Sequence, residues 1–471
     1  MPKNDYWKLS AYESAKLIKD GSISAEDLVS SCIERVNQTN NKINAIVDNL
    51  SEPALEKAYE LDKLTKKGKF KGPLHGVPIT IKENIDQKGY ATPNGLEALK
   101  DLIAPGNAPV VDNLEQDGAI VIGRTNTPEF SMRGTTDNVI HGRTYNPWND
   151  WASPGGSSGG ASAAVMSGMG SLAHGNDIAG SLRIPSTATG ACTVKPGLGR
   201  VPAFNPSQTQ ERGLVAQLMS VQGIIAREIK DVRLGMQSLI NYDPRDPWMV
   251  EMPFESKSVT SPIKIGYTKE TLGEVLHPAV DKALENAIEA LKDAGYILEE
   301  IVLPEFQDAT NYSARTLFGE LKALHEKDFK KLGSENFNLV ADNYFQIISP
   351  FEGEDLLLGM AKRSYFFREW NLFFRKYPLV LTPFLLYPTY EWNRDVQGLE
   401  GTKEVLAGMF YAHTMNYMGI PAGVVSANYN DGLPVGVQII SSRFREDIIL
   451  QACEEIEKRV GIMAEKLLER G

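Results

Sequence analysis

Residues 152–185 read Ala-Ser-Pro-Gly-Gly-Ser-Ser-Gly-Gly-Ala-Ser-Ala-Ala-Val-Met-Ser-Gly-Met-Gly-Ser-Leu-Ala-His-Gly-Asn-Asp-Ile-Ala-Gly-Ser-Leu-Arg-Ile-Pro. Two clusters of glycine and serine flank a run of small apolar residues. Glycine at this density removes side chains where a backbone bends sharply or approaches a ligand. Serine in such turns sets a hydroxyl beside unblocked backbone N–H groups, the two things acyl transfer needs. A flexible linker has a similar Gly/Ser content. The segment between the clusters, Ala161 to Leu172, is too apolar for that, and it predicts a buried helix of small residues.

Outward from this stretch, short apolar runs alternate with helical patterns. Val77-Pro78-Ile79-Thr80-Ile81-Lys82 predicts a buried strand ending in a lysine, and Ala119-Ile120-Val121-Ile122-Gly123 predicts another, after a helix from Val110 to Gln116. On the N-terminal side, Ser10 with Glu13 makes a capping box and Gly21 a helix stop; Ser24 caps a second helix. Ile43 to Val47 predicts a strand and residues 52–67 a charged helix. Beyond about residue 230, helices dominate: Pro278 to Ala294, residues 311–331 and residues 355–376. Val380 to Leu386 is strand-like. Ala422 to Ala427 and Leu433 to Ile440 flank Asn430-Asp431-Gly432, a hairpin signal, and a helix from Asp447 to Val460 stops at Gly461. The alternation predicts an α/β fold in a single large domain spanning 1–471. Its centre is a mixed, largely parallel twisted sheet covered by helices on both faces.

Composition narrows the function classes. The net charge of −11 is spread along the chain, with no basic stripe for nucleic acid. Cys32, Cys192 and Cys453 are far apart and form no CxxC pair, which argues against a disulfide framework or zinc cluster and fits a reducing cytosol. The polar N-terminal residues lack a signal-peptide apolar stretch, and no apolar run is long enough to span a membrane. These features predict a soluble cytoplasmic protein without metal or cofactor. A homodimer is the default oligomer.

The chemistry then narrows by elimination. Gly155-Gly156-Ser157-Ser158-Gly159 matches a nucleophile elbow formally, but Pro154 and polar residues precede it where a strand is required. The six histidines, at 75, 141, 174, 277, 325 and 413, are scattered. Ser261-Pro262-Ile263-Lys264 matches Ser-x-x-Lys without its companion motifs, and no metal-binding or phosphate-binding motif occurs. Lysine replaces histidine as a base when burial lowers its pKa toward neutrality. Lys82 ends an apolar strand and is the better candidate, although a strand-end lysine is more often a side chain reaching for solvent and alone carries little weight. Serine chemistry is the strongest reading.

Taken together, these segments resemble the amidase signature family. The likeness runs through Gly76–Asn84, Gly123–Phe130, Asn146–Asn149, Pro154–Gly160, Gly180–Pro185, Lys195-Pro196 and Gly432–Ile439. Signature motifs concentrate at about 70–230; a variable, mostly helical segment covers about 270–375. The resemblance implies a Ser-cisSer-Lys triad: Ser181 the nucleophile, Ser157 the bridging serine after a cis peptide bond, and Lys82 the base. It implies an oxyanion hole from the backbone N–H groups of Ile178, Ala179, Gly180 and Ser181. Ser158, Asp177 and Arg183 would brace these loops.

Two departures stand out. Gly-Asn-Asp-Ile-Ala-Gly-Ser (residues 175–181) replaces the usual Gly-Thr-Asp-x-Gly-Gly-Ser, so Ala179 must avoid glycine-only φ values. This version is similar to the branch of nylon-oligomer cyclic-dimer hydrolases. Thr189 stands where cysteine is frequent, a packing change. The resemblance implies cleavage of a small carboxylic amide through an acyl-enzyme, with the substrate and specificity residues unknown. An amidotransferase A subunit using glutamine with a partner is the alternative, and a non-catalytic binding scaffold is a third. The double glycine usual in the amidotransferase subunits is absent here.

Overall fold

Among the described residues, eleven strands form one sheet. They are β1 (Ile46–Asn49), β2 (Pro78–Lys82), β3 (Ile120–Thr125), β4 (Leu172–Asp177), β5 (Cys192–Lys195) and β6 (Val221–Ala226). The remainder are β7 (Lys264–Tyr267), β8 (Ile297–Glu300), β9 (Leu379–Pro383), β10 (Ala422–Asn430) and β11 (Leu433–Ser441), and the spatial order is β1-β3-β2-β4-β6-β5-β10-β11-β9-β7-β8. This computed structural model describes residues 3–256 and 262–470; Met1, Pro2 and Ser261 of the Ser-x-x-Lys pattern lie outside the described residues.

The sheet is mixed, as expected, but it is not largely parallel. Parallel pairing is confined to β3-β2-β4 and β9-β7-β8. The other contacts, including β4-β6-β5-β10-β11-β9, are antiparallel. The reason is that β6 and β5 sit between β4 and the β10–β11 hairpin, a non-local arrangement with no signature in local patterning. The hairpin itself is as expected: Asp431 and Gly432 both take positive φ (48° and 82°), which matches the right-handed twist of the flanking strands.

Helices cover both faces, and strand alternation shows why. Val425, Val437 and Ile439 pack with Ile448 and Ile449 of the helix Glu446–Val460, while Ala422, Val424 and Ile440 pack with Tyr411 and Met415 on the opposite face. Two elements differ from expectation. The helix starting at Ala25 runs through Ile43, Asn44 turns left-handed at φ 52°, and β1 begins only at Ile46 because Asn40 Oδ1 accepts the N–H groups of Ala45 and Ile46, each at 2.9 Å. A helix at Glu335–Ile348, capped by Ser334, was not expected because Gly333, Ser334 and its asparagines favour turns.

Residues 152–185 fold as strand-edge loop, helix, strand and loop. The helix expected over Ala161 to Leu172 runs instead over Gly159–Met166, with every residue buried; Gly168 and Gly170 at positive φ turn the chain after it, and Leu172 already belongs to β4. A Cβ on Gly160 would stand 2.5 Å from Asn126 N and 2.6 Å from Asn126 O, so the absent side chain lets this helix lie on the backbone at the end of β3. Gly160→Ala gains about 1 kcal/mol of helix propensity but meets backbone that cannot yield, a cost of about 1–3 kcal/mol or more. The expected outcome is a lower denaturant midpoint; an unchanged or raised midpoint would contradict this packing.

Candidate active site

β2 and β4 are parallel neighbours, so their carboxyl ends open at the same edge of the sheet, where ligands bind in α/β folds. Lys82 is the last residue of β2; Asn176 and Asp177 are the last of β4. The Gly-Ser loop preceding helix Gly159–Met166 crosses this edge, and its Gly156–Ser157 peptide is cis. These elements bring Lys82, Ser157 and Ser158 together. Lys82 Nζ lies 2.8 Å from Ser157 Oγ, 3.1 Å from Ser158 Oγ and 2.8 Å from Asn176 Oδ1.

Lys82 is fully buried, and among the described residues it forms no salt bridge. Burial pulls its pKa down to about 7, against the opposing pull of the Asp177 and Glu83 carboxylates. Those carboxylates are engaged elsewhere. Asp177 pairs with the buried Arg183 guanidinium at 3.0 Å (Nε to Oδ2). Burial pushes the Asp177 carboxyl up, but Arg183, with Lys195 and the Gly180 N–H, more than offsets it and holds the group below the usual range. Glu83 accepts the Gly95 N–H at 3.0 Å and contacts His141 Nε2 at 3.0 Å.

Ser181 lies on the loop between β4 and the helix Arg183–Thr189, and it lines a cavity of about 550 Å³ together with Ser157, Asn176 and Ile178. Asp177 builds this loop: its carboxylate accepts the Gly180 N–H at 2.7 Å and the Leu182 N–H at 3.1 Å. Gly180 takes φ +113°, where a Cβ would meet Ala412 Cβ and Ile184 Cδ1 at 2.7 Å, whereas Ala179 keeps a negative φ and its extra methyl is tolerated. The Gly180 N–H therefore already has a partner. Among the described residues, the N–H groups of Ile178, Ala179 and Ser181 are bonded to no protein acceptor. Arg183 also reaches Gln438 Oε1, the Ala412 carbonyl and Asn416 Oδ1, which anchors the loop to β11 and the helix Phe410–Met418.

Ser158 contacts Lys82 directly, closer to the centre than a loop brace. Thr189 donates to the Pro185 carbonyl at 2.9 Å and contacts Ser162 Oγ, so it contributes hydrogen bonds as well as packing. The cavity wall was not foreseen. Phe130, Met132, Leu321, His325 and Phe329 line it, with Phe130 edge-on to Phe329 at 4.9 Å. Phe318, Tyr344, Tyr365, Phe366, Trp370 and Trp392, the aromatics of the helical segment and the loop after it, do not line this cavity. Of these, Phe366 and Trp370 are fully buried in the core. Among the described residues no helix is long and apolar enough to cross a membrane, and no cluster of His, Cys, Asp or Glu has metal-binding geometry.

The family model Amidase matches residues 27–450, and the chain belongs to the amidase signature family, whose members it resembles in fold and sequence throughout. It is 42% identical to an indoleacetamide hydrolase of Bradyrhizobium diazoefficiens over 469 residues, covering 99% of this chain and 90% of that relative. A bacterial aryl acylamidase of the same family superposes with a TM-score of 0.82 at 26% identity, covering 98% of each chain. 6-Aminohexanoate cyclic dimer hydrolase shares the fold with a TM-score of 0.84 at 24% identity, over 98% of this chain and 99% of that one. The protein is accordingly a hydrolase of carbon–nitrogen bonds in non-peptide amides.

The Asp177–Arg183 pair is fully buried, so removing one member leaves the other charge uncompensated, a loss of about 3–5 kcal/mol. Asp177→Ala is expected to lower unfolding free energy by that order in urea titration. A loss below about 1 kcal/mol would place the pair outside the structural core.

Proposed function

We propose that this chain hydrolyses a small carboxamide with an aromatic acyl group, through a Ser181 acyl-enzyme with Ser157 and Lys82 as proton relay. The observation that carries this reading is Lys82: it is buried without a carboxylate partner and 2.8 Å from the Ser157 hydroxyl, and its pKa is lowered to about 7, so a substantial fraction is the neutral amine near neutrality. Ser181 Oγ attacks the amide carbonyl and its proton passes to Ser157, whose own proton passes to Lys82. The N–H groups of Ile178, Ala179 and Ser181 receive the developing oxyanion; losing one such donor typically costs about 10²–10³ in rate. As the tetrahedral intermediate collapses, the relay returns a proton to the departing nitrogen. Water then cleaves the ester by the same route, restoring Ser181.

The substrate class follows from the wall of the cavity. About 550 Å³ suits a compact ligand, and Phe130 and Phe329 offer edge and face to an aromatic ring. The indoleacetamide hydrolase relative supports the same choice.

Purified chain is expected to release ammonia from indole-3-acetamide or phenylacetamide faster than it releases ammonia from short aliphatic amides or glutamine, or free amine from aminohexanoate oligomers. Ser181→Ala should abolish release while keeping the native melting curve. Turnover surviving in that variant would refute the nucleophile, and preference for glutamine would favour the amidotransferase reading. Because the relay needs the unprotonated amine, kcat/KM should fall about tenfold per pH unit below about 7 and level off above it. A flat profile from acid to alkaline pH would rule out Lys82 as base.

A further inference from the structure

We infer that Asn176, held in orientation by Asn84, is the positioning residue that decides which serine hydroxyl gives its proton to Lys82. The inference rests on the relay proposed above and adds to it a direction. A neutral amine has two N–H bonds and one lone pair. Lys82 Nζ has three neighbours, the hydroxyls of Ser157 and Ser158 and the side-chain carbonyl of Asn176. Two of them accept from it. The Asn176 amide is oriented by donating Nδ2 to Asn84 Oδ1 at 2.9 Å; turned over, it would oppose its NH₂ to the amine and its oxygen to that of Asn84. Ser158 donates its hydroxyl to the Asn176 backbone carbonyl at 3.3 Å and so turns a lone pair to Lys82. Both N–H bonds of the amine are thereby assigned, and its lone pair is left facing Ser157.

Asn84 is fixed in turn. Its Nδ2 donates to Ser131 Oγ at 2.9 Å, and Ser131 Oγ donates to Asn94 Oδ1 at 2.6 Å. Asn94, Ser131, Asn84 and Asn176 all line the substrate cavity, so a directional chain runs along its wall to the base. When Lys82 takes the proton, the resulting ammonium finds three acceptors already in place, and none of the chain has to reorient.

The charge on this third neighbour matters. The ionisable groups facing Lys82 are Asp177 on β4, tied to Arg183; Glu83, next in the chain and held by Gly95 and His141; and His174, whose Nε2 contacts Gln222 at 3.1 Å. Asn176 is a neutral acceptor among them. A carboxylate in its place would pair with Lys82 and keep it protonated.

The test measures the rate at which a fluorophosphonate inactivates Ser181 as a function of pH, in the full chain, without reference to the amide substrate. Asn176→Asp is expected to move the acid limb upward by about one pH unit or more, with the rate recovering above it. Asn84→Leu, which leaves the charge unchanged but frees the amide to turn, should lower the plateau rate about tenfold or more without moving the acid limb as Asn176→Asp does. Melting curves show whether each variant is folded; if Asn176→Asp is not, Asn84→Leu decides. Folded variants with the wild-type limb and plateau would overturn the inference. Failure of the wild-type chain to label, or labelling of Ser181→Ala, would instead strike the underlying relay.

Discussion

A lysine with no counter-charge, buried at the end of a strand, is the constraint around which this structure is arranged. Burying an ammonium costs several kcal/mol or more unless it is paired, and the usual remedy is an adjacent carboxylate. Here the two nearest carboxylates are occupied by other donors, Asp177 by Arg183 and Glu83 by Gly95 and His141. The amine is left with hydroxyl and amide acceptors, which satisfy its N–H bonds without fixing its proton. Burial wins over attraction, and the group is brought to the pH range where it can exchange a proton with serine.

That arrangement explains why residues far apart in the chain are needed. The loop that carries Ser181 is shaped by Asp177, Asp177 is neutralised by Arg183, and Arg183 is completed by Gln438, Asn416 and the Ala412 carbonyl. The motif-rich part thus depends on the C-terminal hairpin and helix for the polar partners of a fully buried guanidinium. A second buried pair, Arg133 with Asp395 at 2.7 Å, ties the loop after β3 to the segment following β9 in the same way. Both links are charge-assisted and buried, which makes their geometry strict.

What was legible in the sequence follows from these demands. Gly180 at φ +113° and Gly160 against Asn126 leave no room for another residue type, so the motif is written as a fixed string of letters. Lys82 stood out as a charge ending an apolar strand, but such a lysine more often reaches for solvent, and only the resemblance of the linked motifs gave it a role. The sheet's pairing was less readable, since the insertion of β6 and β5 between β4 and β10 depends on contacts between distant segments. The cavity wall was unreadable for a different reason. Phe130 reaches it from a turn with φ 53°, and Phe329 is one of many apolar residues on a long helix. Periodicity reports which face is covered, not whether a cavity or a core covers it.

Asn176 shows how a departure from a motif can carry information. A threonine hydroxyl both donates and accepts, so its direction depends on its surroundings; an amide oxygen only accepts, provided something stops the amide from turning over. In this chain that provision is visible. Asn84, Ser131 and Asn94 supply it one hydrogen bond at a time, and all of them face the substrate cavity. On the proposed relay, the polar wall of the cavity and the bonds that orient the lysine are therefore one structure. A substitution that reshapes one is constrained by the other, and this coupling restricts how freely the polar side of the cavity can change while the lysine keeps its proton path.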